Sequence, residues 1–559
     1  MKNKSFLRIS ASALFVALSV ATSVAQSNLG SECGCPVVSA RTSVNLSSLA
    51  DATGQLQADQ TLTCDKLYVL DKKIYVKTGV TLTIAPGTVI KCNSALLPAD
   101  ATALIVERGG KIMADGKQSC PIVFTSAADP MDGTYSLTNV GEWGGIAILG
   151  KATNNLVQTN TYGIGTGADG LGFIEGFSAA NSRDVYGGTD DNDNSGIMRY
   201  VSIRHAGALI AAANEFNGLS LGSVGRGTKI ENIEIVANAD DNIEVFGGTV
   251  NLKYISTLFG DDDMFDYDLG WKGKAQFLFG IAGDPLTGLH STDNGFEADA
   301  DDNTKAPALR SHPVIYNATL IGNGNVNPTA DNSGAAAIQA KEQTEGEIYN
   351  SIFANYRSGL HLATARSATT GDAYDNWTNG TRGGSSPVAN SFKVKNNTFI
   401  GFGPKAEALV ATGHPIMTKG SMTTGTPRVW KAATEASQAD LDQFIADGNT
   451  TVASVPGFDY NWAWNSAAHT SYSDNSFHAT PSSNISAPAI ANASNLDGFF
   501  SVVNYRGAFD ANKGSWLSDW ALNQILTSQS SNPTDLNNSG ATDVDDFVIF
   551  LGGFGTTNK

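Results

Sequence analysis

The sequence predicts an all-β fold, a right-handed parallel β-helix that carries a C-terminal cap. Three observations predict it: a composition poor in helix-forming residues, a short pattern that recurs along the chain, and a repeat of 22 residues. Charged residues make up 16% of the chain, against roughly 25% in ordinary globular proteins, and 59 of the 559 residues are glycine. A chain with so few Lys, Glu and Arg residues and so many turn residues is not mainly helical.

The recurring pattern is an aliphatic residue, a spacer, Asn, two further residues and an apolar residue. It occurs at residues 230–235, 315–320, 348–353 and 394–399, with a looser copy at 198–203. In a parallel β-helix the aliphatic residues stack on those of the next coil, inside the solenoid. The Asn lies at the bend, where its amide can bond to backbone groups that the turn leaves free. The pattern therefore predicts one coil per copy.

The repeat is clearest between residues 230 and 270. A shift of 22 residues superimposes apolar on apolar, acid on acid and glycine on glycine, as in Ile230 on Leu252, Asp240 on Asp262, Asp241 on Asp263, Ile243 on Phe265 and Gly248 on Gly270. Later copies are 33 and 46 residues apart, so residues 322–333 and 365–386 are expected to leave the coil as loops. The alternatives are a β-sandwich array or a propeller, but no blade pattern of about 40 residues recurs.

Three stretches, at residues 80–90, 141–150 and 261–273, resemble a group of secreted parallel β-helix proteins of the Bacteroidota whose activity is unassigned. The resemblance covers roughly residues 58 to 525. It implies a pectate-lyase-like solenoid and an extracellular or cell-surface location. It carries over no catalytic residues.

The first 25 residues have the form of a signal peptide. A basic start at Lys2, Lys4 and Arg8 precedes an apolar run from Ile9 to Val24, and small residues at Ser23 and Ala25 allow cleavage before Gln26. The alternative is a membrane anchor, for which the run is short. We therefore expect a secreted protein that has no transmembrane segment once the signal is removed.

All five cysteines lie at residues 33–120 and no CxxC pair occurs, which in an exported protein favours disulfides over a metal site. Cys33 and Cys35 are too close to pair comfortably with each other. Cys64 with Cys92 is the preferred bridge, and at least one thiol is left over.

Five segments are predicted: the signal peptide (1–25), an N-terminal cap (26–57), the β-helix (58–405), C-terminal coils and cap (406–530), and a calcium-binding segment (531–559). Within the fourth, residues 434–447 read as an amphipathic helix with Leu441, Phe444 and Ile445 on one side. The aromatic stretches that follow are expected to cover the open end of the solenoid. The alternative is a platform on which sugars stack.

The C-terminal segment contains an EF-type calcium loop from Asp535 to Asp546, which resembles one half of a dockerin module. Gly540 stands at the sharp turn, and Asp replaces Glu at the last position. The predicted ligands are Asp535, Asn537, Ser539, Ala541 through its carbonyl, Asp543 and Asp546. The alternative is an Asp/Asn-rich turn before a helix.

Residues 240–302 contain 14 acids and only three basic residues, a net charge of −11 out of −18 for the chain. In the 22-residue register Asp240 and Asp241 lie beneath Asp262 and Asp263, about 4.8 Å apart. Like charges this close require a cation or a proton between them. We therefore predict a Ca²⁺ site at these four residues; a solvated acidic face is the alternative.

A catalytic role for these acids is also open. A pectate-lyase-like enzyme would bind Ca²⁺ against a uronate and use Arg204, Lys272 or Arg310 as the base, with Glu297, Asp299 and Asp301 as further ligands. An inverting glycoside hydrolase would need two carboxylates roughly 6.5–9.5 Å apart. The Gly-His-Gly and Arg-Ile-Lys segments of β-helical polygalacturonases do not occur, which weakens that alternative.

The acidic balance excludes nucleic acid as a partner, since binding phosphates requires clustered Lys and Arg. The sequence thus predicts a secreted or cell-surface, Ca²⁺-binding β-helix protein. It is expected to bind an extracellular glycan or a surface protein without catalysis. The alternative is a calcium-dependent polysaccharide lyase or glycoside hydrolase.

Overall fold

The structure is a computed structural model and describes about two thirds of the chain. The described ranges are 31–94, 100–131, 135–156, 170–174, 177, 182–210, 214–283, 290, 292–300, 307–322, 336–356, 358–363, 373–378, 391–401, 416–419, 434–435, 438–458, 479–518 and 520–522.

The described chain coils into a parallel β-helix with two main sheets. Sheet 1 has 17 strands in the described ranges, and its longer strands cross a bend. Its strands are Thr42–Asn45, Gln60–Leu62, Lys66–Leu70, Thr81–Ile84, Val89–Cys92, Lys111–Asp115, Ile122–Ser126, Gly196–Arg204, Lys229–Val236, Asn251–Leu258, Lys274–Ile281, Val314–Ile321, Gly346–Tyr349, Ile352–Ala354, Phe392–Lys395, Thr398–Ile400 and Thr450–Val452.

Sheet 2 has 12 strands among the described residues, most of them shorter than the long strands of sheet 1, and all but its last pairing are parallel. Its strands are Gln55–Leu56, Ile74–Val76, Leu104–Val106, Ile146–Leu149, Leu219–Gly222, Ile243–Phe246, Phe265–Asp268, Phe296–Ala298, Ala336–Ala340, Ser358–Ala363, Ile416–Lys419 and Thr434–Glu435. Two further strands, Gly172–Phe173 and Val185–Tyr186, form a small antiparallel pair outside the coil.

Helices are few and short in the described ranges. The α-helices are Ala373–Trp377 and Gln438–Ala446, and the 3₁₀ turns are Ser31–Cys33, Val38–Ala40, Leu46–Leu49, Ser182–Asp184, Pro307–Leu309 and Asn492–Asn495. The second α-helix falls inside the predicted 434–447. Phe444 on it is fully buried, whereas Ile445 is 58% exposed, so the predicted apolar side is narrower than expected. No described helix is long and apolar enough to cross a membrane.

The strand register confirms the 22-residue repeat. Ile230 pairs with Leu252 and Ile233 with Ile255 in sheet 1, while Ile243 pairs with Phe265 in sheet 2. The stacked apolar side chains of successive coils form one continuous core. The parallel β-helix predicted from the sequence is therefore confirmed. Of the predicted loops at 322–333 and 365–386, the structure describes residue 322 and residues 373–378, and the latter include the buried α-helix Ala373–Trp377.

The predicted bend positions have left-handed backbone conformations. The Asn residues at the centre of the recurring pattern have φ between +51° and +59°, namely Asn232, Asn317, Asn350 and Asn396. Asn tolerates this conformation better than most residues. Tyr200, Tyr254 and Phe277 lie at the same bend in other coils and also have positive φ. The bends at Tyr254 and Phe277 were not predicted from the recurring Asn pattern. The bend therefore belongs to the coil geometry and does not require Asn.

The disulfides differ from the expected bridge. Cys35 bonds to Cys64 and Cys33 bonds to Cys120, while Cys92 is a buried free thiol. The predicted Cys64–Cys92 bridge is wrong because Cys92 ends a sheet 1 strand with its side chain in the apolar core. The two real bridges attach the N-terminal segment to the first coils.

The described part of the aromatic C-terminal segment, residues 479–522, lies along the side of the solenoid on sheet 1. Trp516 packs against Tyr254, and Trp520 packs edge-on against Tyr200, at the bends of two sheet 1 strands that lie two coils apart. Asn317 at the bend donates a hydrogen bond of 2.7 Å from Nδ2 to the Tyr505 carbonyl. These aromatic side chains are thus used in packing against the coil.

Candidate functional site

The acidic residues lie on the outer face of sheet 2. Along its strands the side chains alternate, so Ile243, Phe265 and Phe296 point into the core while the residue after each points outward. The outward residues are paired in register, with Glu244 beside Asp266 and Asp266 beside Glu297. The in-register stacking of parallel coils therefore places carboxylate next to carboxylate.

A second set of acids occupies the turn that leads into these strands. Asp241 Oδ1 accepts a hydrogen bond of 2.7 Å from the Asp263 backbone N–H, and Asp263 Oδ1 accepts one of 2.6 Å from the Asn294 N–H. Asn294 Oδ1 in turn accepts the N–H of Ala336 at 3.2 Å. Each side chain thus binds the turn of the next coil, and the stacked acids have a structural role of their own.

In the part of the chain that the structure describes, three carboxylate triplets have ligand atoms within 4.8 Å of one another. They are Asp240, Asp241 and Asp262; Asp241, Glu244 and Asp266; and Asp266, Glu297 and Asp299. The first two triplets share Asp241, and the last two share Asp266. We call their seven members the acidic patch. It is a continuous strip of carboxylates that crosses three coils.

The acidic patch is electrostatically unfavourable without a cation. Burial raises the pKa of Asp241 well above its usual range, and the nearby Asp266 and Asp262 raise it further. Burial also raises the pKa of Asp266 and of Asp299, with Glu297 adding to both. Carboxylates with raised pKa values favour a proton, or a metal ion in place of it.

Lys341 enters the third triplet from the neighbouring coil. Its Nζ lies 2.6 Å from Glu297 Oε2 and 3.0 Å from Asp299 Oδ2. Gln339, which is paired in register with Glu297, donates a hydrogen bond to that carboxylate. Burial alone would lower the pKa of Lys341, but Asp299, Glu297 and Asp266 raise it well above its usual value. Lys341 is therefore protonated and forms ion pairs with the third triplet.

Apolar residues cover the outer face of sheet 2 before the acidic patch begins. In the earlier coils the outward side chains are Tyr75, Ile105 and Ala147, and they pack under Phe177 and Phe216 in a separate buried cluster. Phe246 and Leu269, next to the acidic patch, belong to the same cluster. The acidic patch thus starts where this apolar cluster ends, so its first carboxylates lie next to buried apolar side chains.

The structure places three of the four acids that were predicted to bind Ca²⁺ in the coil within one triplet. Asp240, Asp241 and Asp262 form the first triplet, while Asp263 is not a member of any triplet and its carboxylate instead holds the Asn294 turn. Glu297 and Asp299, considered as further ligands, are members of the third triplet. Asp301 and the calcium loop from Asp535 to Asp546 lie outside the described residues.

The three basic residues considered as catalytic bases lie elsewhere. Arg204 is buried on sheet 1, where its Nε donates to Ser202 Oγ at 2.8 Å. Lys272 donates a hydrogen bond to the Ala308 carbonyl. Arg310 is 1% exposed and paired with Glu345 at 3.2 Å. The contacts of these three residues are structural ones.

Sequence reasoning missed Glu244, Asp266 and Lys341 as members of the site. The first two could have been found, because the 22-residue shift superimposes Glu244 on Asp266 just as it superimposes the flanking Ile243 and Val245 on Phe265 and Tyr267. Lys341 could not, since 44 residues separate it from Glu297 and the repeat length changes between them. Their proximity follows from the folded coil alone.

Comparisons with known proteins define the family of the chain. No curated protein and no solved structure matches it. Residues 54–463 match the family described as the pectate-lyase-like β-helix domain. This range includes all of sheet 2, every strand of sheet 1 except Thr42–Asn45, and the whole acidic patch. The chain belongs to this pectate-lyase-like β-helix family.

Proposed function

We propose that the protein is a secreted, glycan-associated β-helix protein that binds Ca²⁺ at the acidic patch. The observation that carries the proposal is the pair of triplets centred on Asp241, in which five carboxylates of two adjacent coils come within ligand distance of one another. Within each triplet the ligand atoms lie closer than the separation that an inverting glycoside hydrolase requires. This spacing favours a shared cation.

The donor set fits Ca²⁺. All ligands are carboxylate oxygens, which hard divalent cations prefer, and Ca²⁺ accepts six to eight oxygens in a flexible arrangement. Asp266 Oδ1 and Asp299 Oδ1 are buried and have no hydrogen-bond partner among the described residues. Buried carboxylate oxygens without partners are costly, and a bound cation would remove that cost.

A cation bound here can also bind a glycan. Protein carboxylates would fill only part of the coordination shell of Ca²⁺, so the carboxylate of an acidic sugar can supply further oxygens. The family is consistent with a glycan-associated role. An extracellular polysaccharide that contains uronic acids is therefore the partner we propose, held by a calcium bridge and not cleaved.

Calorimetric titration of the full-length chain with Ca²⁺ tests this proposal. Because the segment from Asp535 to Asp546 is itself a predicted calcium loop, every variant should carry Asp535→Ala and Asp546→Ala. Asp241→Asn should then abolish Ca²⁺ binding at the acidic patch. Asp261→Asn, which removes an acid that is 50% exposed and outside the triplets, is the matched control and should bind as the parent does. Equal binding by Asp241→Asn and the parent would refute the cation site.

One observation favours a second candidate function, a calcium-dependent polysaccharide lyase. Lys341 provides an amine within the acidic patch, and lyases of this fold use a basic residue beside the cation. Its ion pairs with Glu297 and Asp299 keep that amine protonated, which opposes such a role. Incubation with uronate and neutral polysaccharides, with and without EDTA, decides between the candidates. Unsaturated sugars or new reducing ends would show catalysis, whereas intact glycans retained on the protein would show binding alone.

A further inference from the structure

The third triplet differs from the other two because a positively charged side chain already occupies it. Lys341 Nζ bridges Glu297 and Asp299 at 2.6 and 3.0 Å, and its side chain is 17% exposed. The carboxylates of Asp266, Glu297 and Asp299 lie within 4.8 Å of one another around it. The ammonium group is therefore in the position where a metal ion would neutralise the same three acids.

The ammonium group satisfies this triplet incompletely. Asp299 is 7% exposed, and while its Oδ2 binds Lys341, its Oδ1 has no hydrogen-bond partner among the described residues. Asp266 Oδ1 is also buried without a described partner. One positive charge with three N–H donors stands among three carboxylates that together offer six oxygens. A divalent cation would match both the charge and the number of acceptors better.

We propose that Lys341 is a built-in counter-ion that occupies a latent second cation site and confines bound Ca²⁺ to the two triplets centred on Asp241. The inference rests on the proposed Ca²⁺ binding at those two triplets. Because Asp266 belongs to both the second and the third triplet, two ions would share it, and the Lys341 ammonium prevents this by holding the third triplet closed. The side chain at position 341 thus sets how many cations the acidic patch takes.

The test is the stoichiometry of Ca²⁺ binding, measured by calorimetry in the Asp535→Ala, Asp546→Ala background. Lys341→Met removes the charge and keeps most of the length, and it should bind about one more Ca²⁺ per chain than the parent. Lys341→Arg keeps the charge and is the matched control, with the stoichiometry of the parent. Adding Asp299→Asn to Lys341→Met should abolish the gain. An unchanged stoichiometry in a folded Lys341→Met protein would overturn the inference.

A second measurement covers the case in which Lys341→Met does not fold without metal. Removing the Lys341 ammonium group leaves three carboxylates close together without a positive charge. The melting temperature of this variant in EDTA should therefore lie well below that of the parent, and added Ca²⁺ should restore it. Failure of Ca²⁺ to restore the melting temperature would count against the latent site. The two proposals can fail independently. If the parent binds no Ca²⁺ at the acidic patch, the proposed function is contradicted. The role of Lys341 is tested only by the difference in Ca²⁺ stoichiometry between Lys341→Met and the parent.

Discussion

The Oδ1 atom of Asp241 accepts a hydrogen bond of 2.7 Å from the backbone N–H of Asp263, the residue one coil further along. Asp263 repeats the contact with Asn294 at 2.6 Å. An acid and an amide therefore do the same work in successive coils, since either side chain presents an oxygen to the turn above. The stacking of acids in this solenoid follows partly from the need to bind these backbone groups.

This equivalence predicts that Asp263→Asn is tolerated. The amide oxygen can still accept the Asn294 N–H, and the change removes a buried charge whose pKa burial raises well above its usual range. We expect a melting temperature at neutral pH equal to that of the parent or higher. Asp263→Ala should instead cost about 1–3 kcal/mol, because it leaves a buried N–H without its acceptor. Denaturation of the two variants side by side measures the difference, and equal losses would contradict the turn-binding role.

The solenoid itself could be predicted from the sequence because its signals are local and periodic. The Asn residues at 232, 317, 350 and 396 recur with flanking aliphatics, and each occupies a left-handed bend. Stacking of Asp240 and Asp241 near Asp262 also followed from the 22-residue shift. Where the period is constant, knowledge of one coil gives the next.

The parts that escaped prediction depend on contacts across irregular segments. Lys341 reaches Glu297 only because a coil of different length returns the chain to the same sheet face. The pairing of Cys33 with Cys120 spans 87 residues and reflects the path of an N-terminal segment that has no repeat. No regular spacing in the sequence indicates either of these two contacts.

The acidic patch should make the protein less stable as the pH rises, and bound Ca²⁺ should remove this pH dependence. Burial raises the pKa values of Asp241, Asp266 and Asp299, so their contribution to stability is full below their ordinary pKa near 4 and is lost as the pH rises through the folded-state values. In EDTA the melting temperature should therefore fall between pH 5 and pH 8. In excess Ca²⁺ this decline should largely disappear, since the ion stabilises the charged carboxylates.

Thermal melts across this pH range, with EDTA and with Ca²⁺, measure the effect. Asp299→Asn should reduce the slope in EDTA because it removes one of the buried acids. The matched control is Asp261→Asn, which removes a half-exposed acid outside the triplets. A melting temperature in EDTA that rises with pH would contradict the assignment of these acids as the dominant buried charges.

His312 is expected to cause a second pH dependence of stability, at higher pH than that of the acidic patch. Burial alone would lower its pKa, but hydrogen bonds with Glu345 and Glu347 raise it to about 9 from an ordinary 6.5. Its stabilising contribution is therefore full below pH 6.5 and is lost as the pH rises through about 9. The side chains facing this group also include Arg310 and Lys393, which pair with Glu345 and Glu347 respectively.

His312→Gln should lower the unfolding free energy by about 1–2 kcal/mol at pH 6 and by much less above pH 9, after discounting for the 34% exposure of the side chain. Urea unfolding at the two pH values measures this. His290→Gln, which removes the partner of the half-exposed Asp261, is the control, and its loss should be small because exposed ion pairs contribute little. A loss of equal size at both pH values would indicate packing in place of the ion pairs.

The two disulfides predict that reduction loosens the N-terminal segment from the coil. Loop closure over the 87 residues between Cys33 and Cys120 corresponds to roughly 4–5 kcal/mol, and over the 29 residues between Cys35 and Cys64 to roughly 3–4 kcal/mol. Cys33→Ser with Cys120→Ser should therefore destabilise the chain more than Cys35→Ser with Cys64→Ser does. Differential scanning calorimetry of the two double variants ranks the losses. Cys92→Ala, which removes a buried free thiol, should cost less than either and should keep both bridges, which peptide mapping under non-reducing conditions would show. If peptide mapping of the parent instead found Cys92 in a disulfide-linked peptide, the assigned connectivity would be wrong.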